Sequence, residues 1–263
     1  MNLAVLILHF ADPKKTLACL SSIDKADKKG LLVKIFLIDN GTGTKFAKNK
    51  NIEFIRNSRN LGFAKGINRG LLKALKNKNT DYFLILNNDT RLPRDFFQKI
   101  KETSFAVSGV VIKFKSEKGE WIYDYGGKIN PWTAKTEHFE YKRLIKKYIP
   151  SNQDYFSGCC LLIKREVFAK IGLFDERYFF YYEDVDFCLS ARNAGFNLGL
   201  VQDSVIFHEL SSSIGRWSNK AIFENLKSRL KFINKNLGLR KPVAWIFLIL
   251  LTIKIIRDKI IKA

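Results

Sequence analysis

The 263-residue chain carries 46 Lys and Arg against 25 Asp and Glu, a formal net charge of +21, with 46% apolar residues. Enough apolar residues, 22 Phe among them, are present to build a packed core, which excludes a disordered basic tail and a collagen-like repeat. The cation surplus calls for an anionic partner, and the length suits one large α/β domain with an appendage.

Residues 4–10 (AVLILHF) and 33–39 (VKIFLID) are apolar runs too short for helices and predict buried parallel strands. Between them, residues 13–23 open on Pro13 and place Leu17, Leu20 and Ile23 at helical spacing. Residues 52–56 and 82–87 predict further strands. Residues 63–75 form a helix with Ile67, Leu71, Leu72 and Leu75 on one face and Lys65, Arg69, Lys73 and Lys76 opposite. This alternation predicts an α/β fold, a central mostly parallel, Rossmann-like sheet flanked by helices. Right-handed crossovers gather the loops 9–12, 39–42, 57–62 and 87–90 along one carboxyl edge, where ligands of open α/β sheets bind.

Neither GxGxxG after the first strand nor GxxxxGK[ST] is present, so a bound nucleotide needs other means. Asp39 could accept from a base N–H, and Asp89 could ligate Mg or Mn, which keep open sites for substrate phosphates. The alternatives are an ordinary turn at Asp39-Asn40-Gly41 and an Asx turn at Asn88-Asp89-Thr90, before a helix near Pro93.

In the second half, residues 105–114 and 123–129 predict strands and residues 130–150 a loop over a site. Residues 155–163 read as a strand whose Gly158 marks a bulge or a close approach, and residues 165–171 as a short helix ending at Gly172. Five aromatics from Tyr178 to Tyr182 then run into Glu183, Asp184 and Asp186. Val185, Cys188, Leu189 and Arg192 have helical spacing, and Gly195 stands where a C′ glycine would. Acids in a first helical turn are stabilised by the macrodipole, which accounts for them structurally. A catalytic reading also explains the rings, which can hold a sugar and desolvate a general base. Residues 201–208 end in His208, either a satisfied structural histidine or a partner of Asp89 on a metal. Cys19, Cys159, Cys160 and Cys188 form no CxxC pair, and the start MNLAVLILHFADP shows no secretion signal. Buried reduced thiols in a cytoplasmic protein are expected.

In order and spacing, ILHF, FLIDNGT, RNSRNLGFAKGINRGL, FLILNNDTRLP, FSGCCLLIKREVFAKIGLFDERYFFYYEDVDFCLSARNAGF and VIFHELSSSIG resemble the bacterial family 2 glycosyltransferases of the GT-A fold. The likeness is to their rhamnosyltransferase-like branch and covers residues 3–213. It implies inverting transfer of a sugar from a nucleoside-diphosphate-sugar, dTDP-rhamnose or a UDP-sugar, in cell-surface polysaccharide synthesis. The acceptor would be a hydroxyl of a glycan or polyprenyl-linked molecule, and a divalent metal, Mn or Mg, would assist. By the same likeness His9, Asp39, Asn68, Asn88 and Asp89 belong to the donor site, and Asp89 with His208 to the metal. Asp184 would be the general base, with Glu183 and Asp186 positioning the acceptor or the base and Tyr182 at the acceptor. The DxD-like motif reads Asn87-Asn88-Asp89, an amide replacing its first acid. A metal-dependent nucleotidyltransferase would share nucleotide and metal but has no use for the rings beside Glu183. A nucleic-acid binder lacks its motifs here and would not carry an acidic site edge.

Residues 216–263 hold twelve Lys or Arg against two acids, +10 of the total, and form a second unit after a catalytic domain over 1–215. Residues 219–237 predict an amphipathic helix with Phe223, Leu226, Leu230, Ile233 and Leu237 inward and Lys220, Lys227, Lys231 and Lys235 outward. Residues 242–253 (PVAWIFLILLTI) are uncharged but short of the ~20 that span a bilayer. With Trp245 and flanking cations they predict a helix lying in an anionic membrane interface, peripheral at the inner face of the cell membrane. The alternative is a terminal helix packed on the domain or on a partner subunit.

Overall fold

The computed structural model describes residues 1–47, 49–145, 152–209 and 218–260. The strands are β1 (Asn2–His9), β2 (Leu32–Asn40), β3 (Ile52–Asn57), β4 (Tyr82–Asn87), β5 (Thr90–Arg91), β6 (Val107–Lys115), β7 (Trp121–Ile129), β8 (Thr136–Tyr141), β9 (Cys160–Lys164) and β10 (Leu198–His208). The helices are α1 (Pro13–Lys25), α2 (Phe63–Ala74), α3 (Phe96–Ile100), α4 (Arg165–Ile171), α5 (Glu183–Asn193), α6 (Asn219–Asn236) and α7 (Lys241–Ile260).

All ten strands share one sheet, in the order β3-β2-β1-β4-β9-β6-β10-β5, with β7 beside β6 and β8 beside β7. The half β3-β2-β1-β4 is parallel throughout, with β1 and β4 as buried apolar runs, α1 joining β1 to β2 and α2 joining β3 to β4. Beyond β4 the sheet is mixed, which corrects the mostly parallel expectation: β9 runs antiparallel to both β4 and β6, while β10 is parallel to β6. The segments 116–120 and 130–135 are too short for a crossover helix, so β6, β7 and β8 fold as antiparallel hairpins.

One core lies on the side of α1 and α3, around Val5, Ile7, Cys19, Ile23, Phe96 and Phe97. The other lies under α2, α4, α5 and α6, around Leu6, Ile67, Leu71, Phe168, Phe187 and Phe232. All four cysteines are free and buried, and burial pushes the Cys19 and Cys188 thiols up to about 12.

Three further expectations are corrected. The loop expected over 130–150 contains β8, whose hidden signal is an alternation with Phe139 and Tyr141 against the core and His138 and Glu140 on the other face; residues 146–150 lie outside the described residues. The strand expected over 155–163 starts only at Cys160, with Gly158 in the preceding turn. The face of α6 is rotated: Phe223 and Leu230 are 62% and 41% exposed, whereas Ser228, Arg229, Phe232 and Ile233 are buried. Ser228 donates to the Phe180 carbonyl at 2.9 Å and Arg229 to the Thr133 carbonyl at 2.8 Å, and Phe232 meets the Tyr182 ring. These partners outweigh the plain apolar stripe. The boundary at 215/216 lies outside the described residues.

Candidate active site

A cleft of about 760 Å³ opens at the carboxyl ends of β1 and β4. Its wall includes Asn88, Asp89, His138, Glu183, Asp184 and His208. Among the described residues lining it, His9, Asp39, Asn68 and Asp186 are missing, and the structure shows what holds each of them.

His9 is fully buried beneath the edge, its Nδ1 2.7 Å from the Thr16 hydroxyl and its Nε2 3.0 Å from that of Thr44. Burial holds it below the ordinary imidazole range against the pull of Asp39 and Asp12. Asp39 adopts the turn: Oδ1 accepts from the Thr42 N–H and hydroxyl at 2.9 and 2.6 Å, and Oδ2 from the Gly43 N–H at 3.0 Å. The neighbouring Asn40, which sequence reading left unassigned, is the residue that lines the cleft, held by Asn57, Asn60 and the Gly62 carbonyl. Asn68 brackets another segment, donating to the Phe174 carbonyl at 2.8 Å and accepting from the Phe174 N–H at 3.2 Å. It is buried under the loop that starts the aromatic run.

The corner between β4 and β5 supplies Asp89, and the end of β10 supplies His208. The His208 Nε2 lies 3.1 Å from Asp89 Oδ1, both side chains largely buried. Asn88 turns to the Thr16 hydroxyl at 2.8 Å. One carboxylate and one imidazole suit a divalent cation that keeps open positions for phosphate oxygens. A second donor set, absent from the sequence reading, sits on the β7–β8 hairpin: ligand atoms of Asp124, His138 and Glu140 lie within 4.8 Å of one another. Asp124 and Glu140 are cross-strand partners, and His138 precedes Glu140 by two, so all three share a face of the hairpin. Burial opposes charge on His138, but the hydrogen bond and charge of Asp124, 2.8 Å away, hold it above the ordinary range.

The acid pair stands at the start of α5, as its spacing predicts, with Gly195 in a left-handed conformation past the helix end. Asp184 Oδ2 accepts from the Gly158 N–H and Oδ1 from the Val185 N–H, each at 2.8 Å. Burial raises the pKa of both acids and mutual repulsion raises that of Glu183 further, while the backbone donors and His138 favour a charged Asp184. These surroundings favour the neutral form on Glu183 more than on Asp184. Tyr181 and Tyr182 both have positive φ, 70° and 67°, a conformation costly for aromatic residues and found where surroundings enforce it. The Tyr182 hydroxyl donates to the Ala134 carbonyl at 2.8 Å, which fixes its ring beside the cleft.

Asp186, expected to position the acceptor or the base, turns away from the cleft and is 2% exposed. It accepts from Lys235, Asn236 and Tyr178. Lys235, expected outward, therefore turns inward, because a buried carboxylate needs a counter-charge.

Residues 4–172 match the family described as Glycosyl transferase family 2. The chain is 34% identical over 118 residues, 44% of its length and 37% of the relative's, to N-acetylglucosaminyl-diphospho-decaprenol L-rhamnosyltransferase of Mycobacterium tuberculosis. It is 25% identical over 164 residues, 58% of the chain and 61% of the relative, to Rhamnosyltransferase WbbL of Escherichia coli. The chain thus spans between about a third and three fifths of the length of these relatives. Among solved structures, GalNAc-T7 with UDP, GalNAc and Mn2+ aligns with a TM-score of 0.67 at 18% identity, over 89% of this chain and 47% of that one. The mannosyltransferase PcManGT of Pyrobaculum calidifontis with GDP-Man and Mn2+ aligns at 0.57 and 13% identity, over 94% and 69%. At these identities the likeness is one of fold.

Proposed function

Because the chain belongs to glycosyl transferase family 2, we propose that it moves a sugar, with inversion, from a nucleoside-diphosphate-sugar to the hydroxyl of a glycan or polyprenyl-linked acceptor. The observation that carries this is the meeting, in one cleft, of a desolvated carboxylate held by backbone donors and the Asp89–His208 donor set. The matched stretch ends before α5 and β10, so the roles of Asp184 and His208 rest on that geometry. Rhamnosyl transfer by the relatives supports dTDP-rhamnose as donor, and the UDP or GDP-sugar of the structural neighbours supports a nucleoside diphosphate in general.

Asp184 takes the proton of the acceptor hydroxyl as its oxygen bonds to the anomeric carbon, and the bond from that carbon to the diphosphate oxygen breaks with its electron pair leaving on the diphosphate. A divalent cation, Mn or Mg, held by Asp89 and His208 would neutralise the growing charge on that diphosphate. Burial and the neighbouring Asp184 both disfavour charge on Glu183, which leaves Asp184 the better placed of the two to act as base. Phe180 and Tyr181, whose ring centroids lie 4.3 Å apart, line the same cleft and offer apolar faces to an acceptor sugar.

The face of α7 formed by Ile246, Ile249, Leu250, Ile253 and Ile256 is 53 to 61% exposed, with Lys254 and Arg257 beside it. Among the described residues no helix is long and apolar enough to cross a membrane. An interfacial seat at the inner face of the cell membrane, beside a lipid-linked acceptor, fits this face.

Asp184→Asn tests the reaction. The amide keeps the shape but cannot accept the proton, so turnover is lost by ~10²–10⁴-fold while donor affinity by calorimetry stays within about twofold. Turnover near the wild-type rate, or release of pyrophosphate instead of a nucleoside diphosphate, overturns the reading.

A further inference from the structure

We propose that Lys235, on α6, is a positioning residue for Asp184: by holding Asp186 it sets the first turn of α5 against Gly158. The inference rests on Asp184 as the general base and adds the element that keeps it in place.

The first turn of α5 is not self-determined. Its N-cap, Tyr182, is left-handed and makes no side-chain capping bond. The turn carries three acids, Glu183, Asp184 and Asp186, with Glu183 and Asp186 almost fully buried. A buried carboxylate stays charged only with a partner, and Asp186 has three. Oδ2 takes the Lys235 ammonium at 2.6 Å, and Oδ1 takes the Asn236 amide at 2.9 Å and the Tyr178 hydroxyl at 3.2 Å. Lys235 also meets Asp175 at 2.9 Å, at the other end of the aromatic run. The Asp186 N–H donates to the Tyr182 carbonyl at 2.9 Å, so the bolt on Asp186 acts one turn from the strained tyrosines. One ammonium thus ties together the loop before the rings, the helix bearing the base and a helix beyond the family match. Neither Lys235 nor Asp186 lines the cleft among the described residues.

The test uses the full chain and nucleoside diphosphate release from dTDP-rhamnose, or from whichever of a panel of UDP-sugars the wild type turns over fastest. Lys235→Met should lower kcat by ~10–100-fold, the scale of a small misplacement of a catalytic group, with donor KM within about twofold. Lys235→Arg, which keeps the charge, should recover most of that loss. Should Lys235→Met fail to fold because Asp186 is left without a counter-charge, the double variant with Asp186→Asn removes that charge and should fold with the same deficit in kcat. A folded Lys235→Met protein with kcat within twofold of wild type, or a loss confined to KM, overturns the proposal. Asp184→Asn measured alongside separates the two readings. If it stays active, the base is misassigned; if it is dead while Lys235→Met is normal, only the positioning role fails.

Discussion

Glu183 and Asp184 are neighbours in sequence but not in environment, since only Asp184 receives the Gly158 N–H from across the cleft. A base in this setting must lose its proton before it can act, and burial has raised its pKa. Activity is therefore lost as pH falls through that raised value, and the acid limb of kcat/KM should lie above the ordinary aspartate value of ~3.9. A limb at or below that value would place the base elsewhere. Glu183 has the opposite consequence for stability. Its folded pKa lies well above its unfolded one, so its neutral form contributes stability below the ordinary glutamate range, and that contribution is lost as pH rises through the folded value. Glu183→Gln should accordingly raise Tm at alkaline pH and leave it unchanged near pH ~4, as read by calorimetry across pH. The two acids were legible as a pair in the string YYEDVDF, but the backbone donor that favours charge on Asp184 lies 26 positions away and was not.

The elements most legible in the chain were those whose signals are local. β4 and α4 appear at the bounds that apolar runs and the Gly172 stop suggest, and α5 starts at the acids that favour a helix N-terminus. β8 was hidden because its polar face is the cleft wall, so solvent-like residues sit where a loop would put them. The joint between the α2 N-terminus and the aromatic run was equally invisible: the Phe63 N–H donates to the Phe179 carbonyl at 2.8 Å. Gly62 makes that approach possible, with φ of 80° and room for no side chain, since a Cβ there would stand 2.4 Å from the Phe179 carbonyl oxygen. Gly62→Ala should therefore destabilise the fold by more than ~1 kcal/mol in urea unfolding and lower turnover with it, because the segment that must shift carries the cleft's rings. Unchanged stability would show the joint to be loose.

At the scale of the whole molecule, +10 of the +21 charge lies in residues 216–263, while the cleft wall carries Asp89, Asp124, Glu140, Glu183 and Asp184. Ile249→Asp with Ile253→Asp should abolish flotation with vesicles rich in phosphatidylglycerol, and high salt should weaken the wild type, since each nearby cation is worth ~1 kcal/mol at an anionic surface. Full-length protein that stays unbound to such vesicles at physiological salt would make the exposed face of α7 a docking site for protein instead. The sequence by itself determined the parallel half of the sheet, the edge where its loops gather, the family and the acid pair, because apolar period, turn residues and caps act over a few neighbours. Only the tertiary structure decided that Asn40 rather than Asp39 lines the cleft, and that Asp186 and Lys235 face each other. Those outcomes depend on which distant groups share a desolvated space, and a buried polar group takes whatever partner the fold brings to it.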